Sequence, residues 1–527
     1  MYNRGLFHPW VPKVLQLLLI LIFSVVVLCT NSIYSGNMND MTSSMGSLAE
    51  LITMANNAST IGMMVVFPLL LRTKSYFRTK ELLIGSLLLL AFFSIVCGTT
   101  DSPYLIIFCS FCMGFFKMFG MIEVIIPIMF ILSPTGDRAR FYSIFYPFSI
   151  VLGQITGYYS TILAADFHWQ YFYLFVSVCL LGTALLAVIF MHNLRGGKRV
   201  PMHYFDWLSM SVLSISLMCL NYVLVFGRQQ EWFQSKSIVF AFLTFIITLM
   251  YFVVRQLNLK RPYINLSVLK KKNVFNSLIL ISLLGLYLGS SSIQSSFTTN
   301  ILKYDAATTA SLNLLMIPGI ILGGIVSFIW FKQKWWIKSL ILIGFSAFQV
   351  YAMYMYFLLS PVVEIEMFIF PTILRGFGMC VLFVSIGVYC AEKLQMADML
   401  SSSAVLVVFR SFIGTGIFGA IISWSLYQLQ WQHVANFGGQ MDASFMGVNS
   451  LSANAQYAAV QVQSTLASAK EMFGYVILFG WSILLYVSLH RFMPINFRRV
   501  IFFQHSLGLR KSRKNNKQVS DATAEAL

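Results

Sequence analysis

The chain has 527 residues, of which 58% are hydrophobic and only 10% are charged, and its mean hydropathy is +0.76. So little polar surface excludes a soluble globular protein of this length, because such a protein would need an impossibly large core. The formal net charge of +18 comes from basic residues spread over many short segments, which argues against a nucleic-acid-binding protein.

Fourteen apolar runs follow one another along the chain, and each approaches the roughly 20 residues that cross a bilayer as a helix. We expect helices because lipid offers no partners to an open strand edge, and continuous apolar runs do not fit the alternation of a β-barrel. The first run lacks a small-residue cleavage pattern and is interpreted as an uncleaved span. The predicted spans are 14–34, 50–71, 82–98, 104–132, 141–163, 169–191, 206–226, 237–254, 274–299, 306–330, 338–358, 365–390, 401–428 and 472–490. The expected fold class is an all-α integral membrane protein.

The basic residues predict the orientation of these spans, since Lys and Arg in short loops stay on the cytoplasmic side. With the amino terminus inside, 29 of the 36 Lys and Arg residues fall in cytoplasmic segments. Three more, Lys117, Arg375 and Arg410, lie within spans. We therefore expect a multi-pass protein of the plasma (inner) membrane with both termini in the cytoplasm. The basic tail at 510–514 suits contact with anionic membrane lipids.

No sequence pattern indicates an enzyme, a cofactor or a metal site. The chain contains no GxxxxGK[ST] phosphate loop, no HExxH metal helix and no GxSxG elbow. All eight cysteines lie in apolar runs, and the pair Cys109 and Cys112 is interpreted as buried and inert. Because the chain is nearly all membrane helix, with no soluble domain to hydrolyse ATP, the expected activity is transport driven by an ion gradient.

Several local motifs occur in a familiar order. In the fifth span, Gly153, Gln154 and Gly157 belong to a GQITG stretch similar to the antiporter motif GPxxGG, and the WQYFY stretch at 169–173 is similar to WRWxF. Further similar stretches lie at 205–207, 227–232, 261–266, 317–319, 374–379 and 410–416. Together they resemble the 14-span drug:proton antiporter branch of the major facilitator superfamily, over essentially the whole chain.

This resemblance implies a six-helix bundle at 1–195, a two-helix linker insert at 196–262, and a second six-helix bundle with a basic tail at 263–527, around a cavity that opens alternately to each side. It implies proton-driven export of small hydrophobic or amphipathic molecules, with a periplasmic adaptor and an outer-membrane channel as candidate partners. Gly153 and Gly157, four residues apart, would let a neighbouring helix approach closely. Two alternatives stay open: an uncoupled transporter or one for an endogenous lipid or metabolite, and a non-transporting scaffold or sensor.

The chain departs from the family pattern at three places. The loop at 71–80 keeps the basic residues of the family's gating loop GxLaDRxGRR without its Gly and Asp. Those basic residues are Arg72, Lys74, Arg78 and Lys80. In the fourth span Lys117 lies near the place of the Arg in RxxQG, in a shifted register. In the first span Cys29 or Asn31 replaces the intramembrane Asp that the family uses as a proton carrier.

Glu123 is the only acid well inside an amino-terminal span, which makes it the first candidate for proton coupling, with Lys117 as the second. The alternative is that Glu123 only partners a buried cation. Lys117 is six residues away, about 120° around the helix, so the two should not pair directly. Arg375 and Arg410 should face the cavity between the bundles. There they would bind an anionic substrate group, counter a carboxylate such as Glu123, or lock helices together.

Overall fold

The computed structural model describes residues 6–132, 137–193, 206–259, 261–392, 394–440, 453–490 and 492. Within these residues the secondary structure is helical, and one isolated bridge between Phe7 and Met191 is the only strand-like pairing. The all-α fold class predicted from the sequence is confirmed.

Fourteen long helices follow one another in the described parts of the chain, and we number them α1 to α14. The first six, α1 to α6, are Lys13–Cys29, Ala49–Val66, Thr79–Thr99, Pro103–Leu132, Arg138–Asp166 and Trp169–Phe190. The insert contributes α7 and α8, which are Trp207–Phe226 and Lys236–Asn258. The last six, α9 to α14, are Lys272–Ile301, Ala306–Lys332, Ile337–Leu358, Ile369–Ala391, Asp398–Gly439 and Ala453–Leu489.

In the described residues 13 helices are long and apolar enough to cross a membrane, and α1, with 17 residues, is a shorter apolar helix. Their outer surfaces carry large exposed apolar side chains. On α8, for example, Phe240, Ile247 and Leu257 are 74%, 66% and 69% exposed. Such a surface is stable only when lipid covers it.

Predicted span ends differ from the structure by five residues or more in α1, α13 and α14. Helix α1 ends at Cys29 rather than at 34. Helix α13 continues to Gly439 rather than ending at 428, and α14 begins at Ala453 rather than at 472. Hydropathy detects only the part of a helix that lipid surrounds. The Ala- and Gln-rich segments beyond it form helix by intrinsic propensity, so residues 430–439 and 453–470 are helical.

The two largest hydrophobic cores lie in different halves of the molecule. One lies among α1 to α6 and includes the fully buried Phe23 and Tyr173. The other lies mainly among α9 to α14 and includes the fully buried Phe345 and Tyr389. Two separate cores are what two packed helical bundles require.

A close helix crossing brings α2 and α4 into backbone contact. A Cβ atom at Gly62 would overlap the carbonyl oxygen of Phe111, and a Cβ at Gly114 would overlap that of Ser59. Each glycine thus lies against the residue three positions before the other. Only glycine allows this approach, which brings the two helix backbones together.

The same crossing recurs between α10 and α12 in the second half of the chain. A Cβ at Gly319 would overlap the carbonyl oxygen of Ile373, and a Cβ at Gly376 would overlap that of Met316. The spacing of three residues is the same as in the first half. The two halves therefore repeat one packing arrangement, as transporters built from internal repeats do.

The insert helix α7 lies against both halves. The Asn221 side chain accepts a hydrogen bond from Asn57 Nδ2 of α2 at 2.9 Å and donates one to the Met54 carbonyl at 3.0 Å. On another side, Leu224 packs over Gly416 of α13, where a Cβ would lie 3.0 Å from the leucine Cδ1. Helix α7 therefore covers the seam between α2 and α13.

Candidate functional site

Glu123 of α4 forms a buried ion pair. Its side chain is 1% exposed, and its Oε2 lies 2.8 Å from Lys74 Nζ. Lys74 belongs to the short helix Leu70–Tyr76 that follows α2, so a residue of the predicted gating loop holds the carboxylate. The other oxygen, Oε1, is buried and has no hydrogen-bond partner among the described residues. A half-satisfied buried carboxylate is costly, and such groups are often functional.

The surroundings of this ion pair are apolar. Phe119 and Ile126, one turn to either side of Glu123 on α4, belong to a buried cluster that also contains Leu70. Leu400 of α13 completes the cluster from the other half of the molecule. The ion pair therefore lies beside a contact between the two halves. A change in its charge would affect the packing of both halves at this contact.

Lys117 of α4 binds the end of α1. Its Nζ donates hydrogen bonds to the carbonyl oxygens of Leu28 and Thr30, at 3.1 and 2.6 Å, and to Asn31 Oδ1 at 2.9 Å. Helix α1 ends at Cys29, so carbonyl groups in its last turn have no partner within the helix. The ammonium satisfies them and complements the negative end of the helix dipole. As the spacing predicted, Lys117 does not pair with the carboxylate on its own helix.

The remaining basic residues of the loop have separate partners. Arg72 reaches a backbone carbonyl of the linker before α9, at 3.5 Å. Arg78 lies 3.8 Å from Glu81 in a pair that is about half exposed. Lys80 donates to a backbone carbonyl near the end of α6, at 2.6 Å. Of these four predicted gating residues, Lys74 is the one that contacts Glu123.

Arg375 of α12 lies among the helices of the second half. Its Nη1 donates to Gln294 Oε1 of α9 at 3.2 Å, and Tyr351 of α11 donates to the same oxygen at 2.7 Å. Its Nε is buried without a hydrogen-bond partner among the described residues. Of the three alternatives for this arginine, no contact among the described residues supports the pairing with Glu123, which is held by Lys74.

Arg410 lies in a π-helical segment of α13, Phe409–Ile417. Its guanidinium lies over the ring of Phe383 of α12, with Cζ 5.4 Å from the centroid. Tyr146 of α5 is within electrostatic range of it and packs against α12 at Gly387. In the described part of the chain no carboxylate and no hydrogen-bond acceptor pairs with this guanidinium. Arg410 therefore faces the seam between α5 of the first half and α12 of the second.

The glycines of the predicted antiporter motif have different environments. Gly157 of α5 packs against the turn that follows α1, where a Cβ would lie 3.0 Å from Ser35 Oγ. Gly153 has no atom within 4 Å of a Cβ position and is exposed, and Gln154 is half-buried. The close helix approach expected at Gly153 is absent because this face of α5 meets open space. The approach at Gly157 is made by a turn rather than by a helix.

An apolar groove of about 830 Å³ lies between α9, α13 and α14. Its walls include Leu283, Phe418, Trp424 and Phe479, and its lining contains no Asp, Glu, Lys or Arg. The groove is therefore suited to an apolar body and contains none of the charged candidates described above.

Sequence reasoning missed several polar residues that the structure brings to these charges. Gln294 receives Arg375 and Tyr351, and Tyr146 lies near Arg410. A buried glutamine within an apolar run was a usable signal, since a side chain of this kind needs a partner. Tyr146 carried no comparable signal, because tyrosine is common throughout the chain.

Comparison with curated proteins shows bacterial exporters, whereas no family model matches the chain. The chain is 23% identical over 269 residues to "Multidrug export protein EmrB" of Escherichia coli, covering 50% of this chain and 51% of that protein. It is 22% identical over 325 residues to "Colistin resistance protein EmrB" of Acinetobacter baumannii, covering 61% and 62%. The chain thus spans less than two thirds of the length of these relatives, about half for the first.

Comparison with solved structures extends over most of the chain. A nucleoside transporter, NupG, has a TM-score of 0.52 at 12% identity and covers 90% of this chain and 100% of its own. A POT family transporter in complex with 5-aminolevulinic acid has a TM-score of 0.54 at 11% identity and covers 89% and 96%. At such identities the likeness shows the fold, which is that of the major facilitator transporters. The resemblance to this superfamily and its drug-export branch, predicted from the motifs, is confirmed.

Proposed function

Because the chain has the major facilitator fold and its curated relatives are multidrug exporters, we propose that it is a secondary transporter that exports hydrophobic or amphipathic small molecules. Its relatives are named for export and resistance rather than for catalysis, which supports a transporter rather than an enzyme. The buried Lys74–Glu123 ion pair is the observation that carries the proton-coupled form of this proposal.

Alternating access would occur between two bundles, at 1–195 and 263–527, with the insert at 196–262 covering one seam. The separate cores of α1 to α6 and α9 to α14 support this division. A contact that bridges the bundles is made by Arg138 of α5, which donates to the carbonyl oxygens of Ala391 and Leu394, at 2.5 and 3.2 Å. Such polar contacts can break and re-form as the bundles rock, with little change inside each core.

Proton coupling would work through the charge of Glu123. A proton on the carboxylate removes its attraction for Lys74 and frees the short helix Leu70–Tyr76 that follows α2. Loss of the proton restores the pair and fixes that helix against α4. Since the apolar cluster beside the ion pair includes Leu400 of α13, each protonation state would favour one arrangement of the two halves.

Lys117 has a different role in this proposal. Its three acceptors match the three N–H bonds of an ammonium group, and a neutral amine would leave one acceptor facing a lone pair. We infer that Lys117 stays charged and positions the end of α1. Of the two residues predicted to couple to protons, Glu123 is therefore the one that we propose carries the proton.

The basic residues support an orientation with both termini in the cytoplasm of a cell whose inner membrane holds the protein. In that orientation Lys74 lies on the cytoplasmic side. The helical extensions of α13 to Gly439 and of α14 from Ala453 then project outwards. They offer a surface for a periplasmic adaptor, through which an outer-membrane channel would be reached.

The proposal is tested by uptake into inverted membrane vesicles, where export carries a dye into the lumen, with a set of hydrophobic dyes whose head groups are cationic, neutral or anionic. Wild-type vesicles should move at least one dye faster when a pH gradient is imposed. Glu123→Gln should abolish the effect of the gradient, whereas Glu366→Gln, which alters an exposed carboxylate beside α12, should not. Movement of no dye would contradict export. An equal response to the gradient in Glu123→Gln would contradict the role of Glu123.

A further inference from the structure

Among the described residues of the second half, the deep charges are positive and have no carboxylate partner. The described acids of α9 to α14 and of their connections lie near helix ends or, in one case, beside a histidine. They are Asp305, Glu364, Glu366, Glu392, Asp398 and Glu471. Among the described residues none of these forms an ion pair with Arg375 or Arg410. Two guanidinium groups thus lie deep in the helices without compensation of their charge.

Arg410 has the more unusual environment. It lies in the π-helical segment Phe409–Ile417, an irregularity that is frequent at functional sites. The face of Phe383 attracts its guanidinium but offers no hydrogen-bond acceptor. A guanidinium fork of five N–H donors is therefore free to bind two oxygen atoms of one group. Tyr146 of the opposite half packs against α12 at Gly387, one turn beyond Phe383, and lies within electrostatic range of Arg410.

Arg375 provides a second candidate binding position, on α12, the helix that also carries Phe383. Phe383, which marks the position of Arg410, is eight residues from Arg375 on α12, or about 12 Å along the helix axis. Arg375 makes one hydrogen bond through Nη1, to the neutral amide oxygen of Gln294, and its Nε is buried without a partner in the described residues. Both arginines therefore have N–H donors without an acceptor among the described residues, and a positive charge that attracts an anion.

We propose that Arg410 binds the anionic head group of an amphipathic substrate, with Arg375 as a second binding position along its path, so that carboxylates or sulfonates with an apolar body are the preferred substrate class. This inference rests on the proposed export function and specifies its substrate. A carboxylate or sulfonate offers two oxygens in the geometry of the arginine fork. Phe383 and Tyr146 would contact the adjoining apolar part. A substrate with a cationic head group would instead be repelled by both arginines.

The test compares two probes of equal chain length and opposite charge, decanesulfonate and decyltrimethylammonium. Both are titrated calorimetrically into the full chain in nanodiscs of zwitterionic lipid, with empty nanodiscs subtracted. The wild-type protein should bind the sulfonate at least tenfold more tightly than the ammonium compound. Equal affinity for the two probes would overturn the proposal.

Variants assign the binding to the arginines. Arg410→Gln should weaken sulfonate binding at least tenfold without changing the affinity for the ammonium compound. Arg410→Lys keeps the charge but not the fork, so it should give an intermediate affinity and serves if the glutamine variant does not fold. The matched control is Arg228→Gln, which removes an exposed arginine that bonds Ser423. Unchanged sulfonate affinity in both Arg410 variants would refute the assignment.

Two further measurements distinguish substrate binding from lipid binding, and the anion site from the export function. If anionic phospholipid added to the nanodiscs displaces the sulfonate, the site belongs to a lipid head group and the substrate assignment is wrong. Binding does not require transport. Selective sulfonate binding without flux in vesicles would therefore contradict export while supporting the anion site, and flux without selective binding would do the reverse.

Discussion

The ion pair between Lys74 and Glu123 leads to an asymmetric prediction. Lys74→Met leaves a carboxylate that is 1% exposed, with one oxygen already lacking a partner. Glu123→Gln leaves an amine that is 15% exposed on a short helix, from which it can turn towards water. The lysine substitution should therefore destabilise the protein more than the glutamate substitution does.

The expected losses in the free energy of unfolding follow from the burial of each partner. Removing one member of a buried ion pair costs about 3–5 kcal/mol, and Lys74→Met should fall in that range at neutral pH. Glu123→Gln keeps an acceptor for Lys74 and should cost about 1.5–3 kcal/mol, the value of one hydrogen bond to a charged group. The double variant removes both charges and should recover much of the loss. Arg78→Met, at a pair that is about half exposed, should change stability by less than about 1 kcal/mol.

The assay is thermal unfolding of the purified protein in detergent at neutral pH, followed by intrinsic fluorescence. The expected order of stability is wild type, Glu123→Gln, then Lys74→Met, with the double variant above the lysine single variant. The prediction is refuted if Lys74→Met has the melting temperature of the wild type. It is also refuted if the loss in the double variant equals the sum of the two single losses, because the ion pair then does not contribute to stability.

Three other predictions concern packing, capping and pH. Gly114→Ala should separate α2 from α4 and lower the melting temperature by several degrees, whereas Gly182→Ala, at a position with open space, should leave it unchanged. Lys117→Met leaves the carbonyls at the end of α1 without their donor, and should lower the melting temperature more than Lys117→Arg does. Burial raises the pKa of Asp206, but hydrogen bonds from Ser209 and Arg255 outweigh it and hold that pKa below its usual range. The stabilisation by Asp206 is therefore complete above about pH 4 and is lost as the pH falls through the lowered pKa. Melting temperatures of wild type and Asp206→Asn should accordingly differ most at pH 6 and converge as the pH falls below the lowered pKa of Asp206.

The positions of the helices could be predicted from the sequence, because lipid imposes a long apolar run on every span. The ends could not be predicted to the same accuracy. Helix α1 ends at Cys29 although the predicted span continues to 34. The polar residues 30–32 follow Cys29, and the last carbonyls bind Lys117 rather than the next helical turn. That partner lies 89 residues away from Leu28, beyond the reach of any local pattern.

The partners of the charged residues could not be predicted from the sequence either. Sequence reasoning identified Glu123 as costly and Lys74 as part of a gating loop, but nothing in either pattern connects them. Their contact depends on how α2 and α4 rotate about their glycine crossing. The environment of Arg410 depends in turn on the π-helical segment, which shifts the helix face and has no sequence signature of its own.

Reciprocal coupling tests the central claim most directly. Proteoliposomes that contain only this protein and a trapped pH indicator would receive a gradient of a dye that the wild type transports, without any imposed pH gradient. Protons should then move against the dye in the wild type and in Glu366→Gln, and should not move in Glu123→Gln. Dye flux in the wild type without proton movement would contradict proton antiport through Glu123.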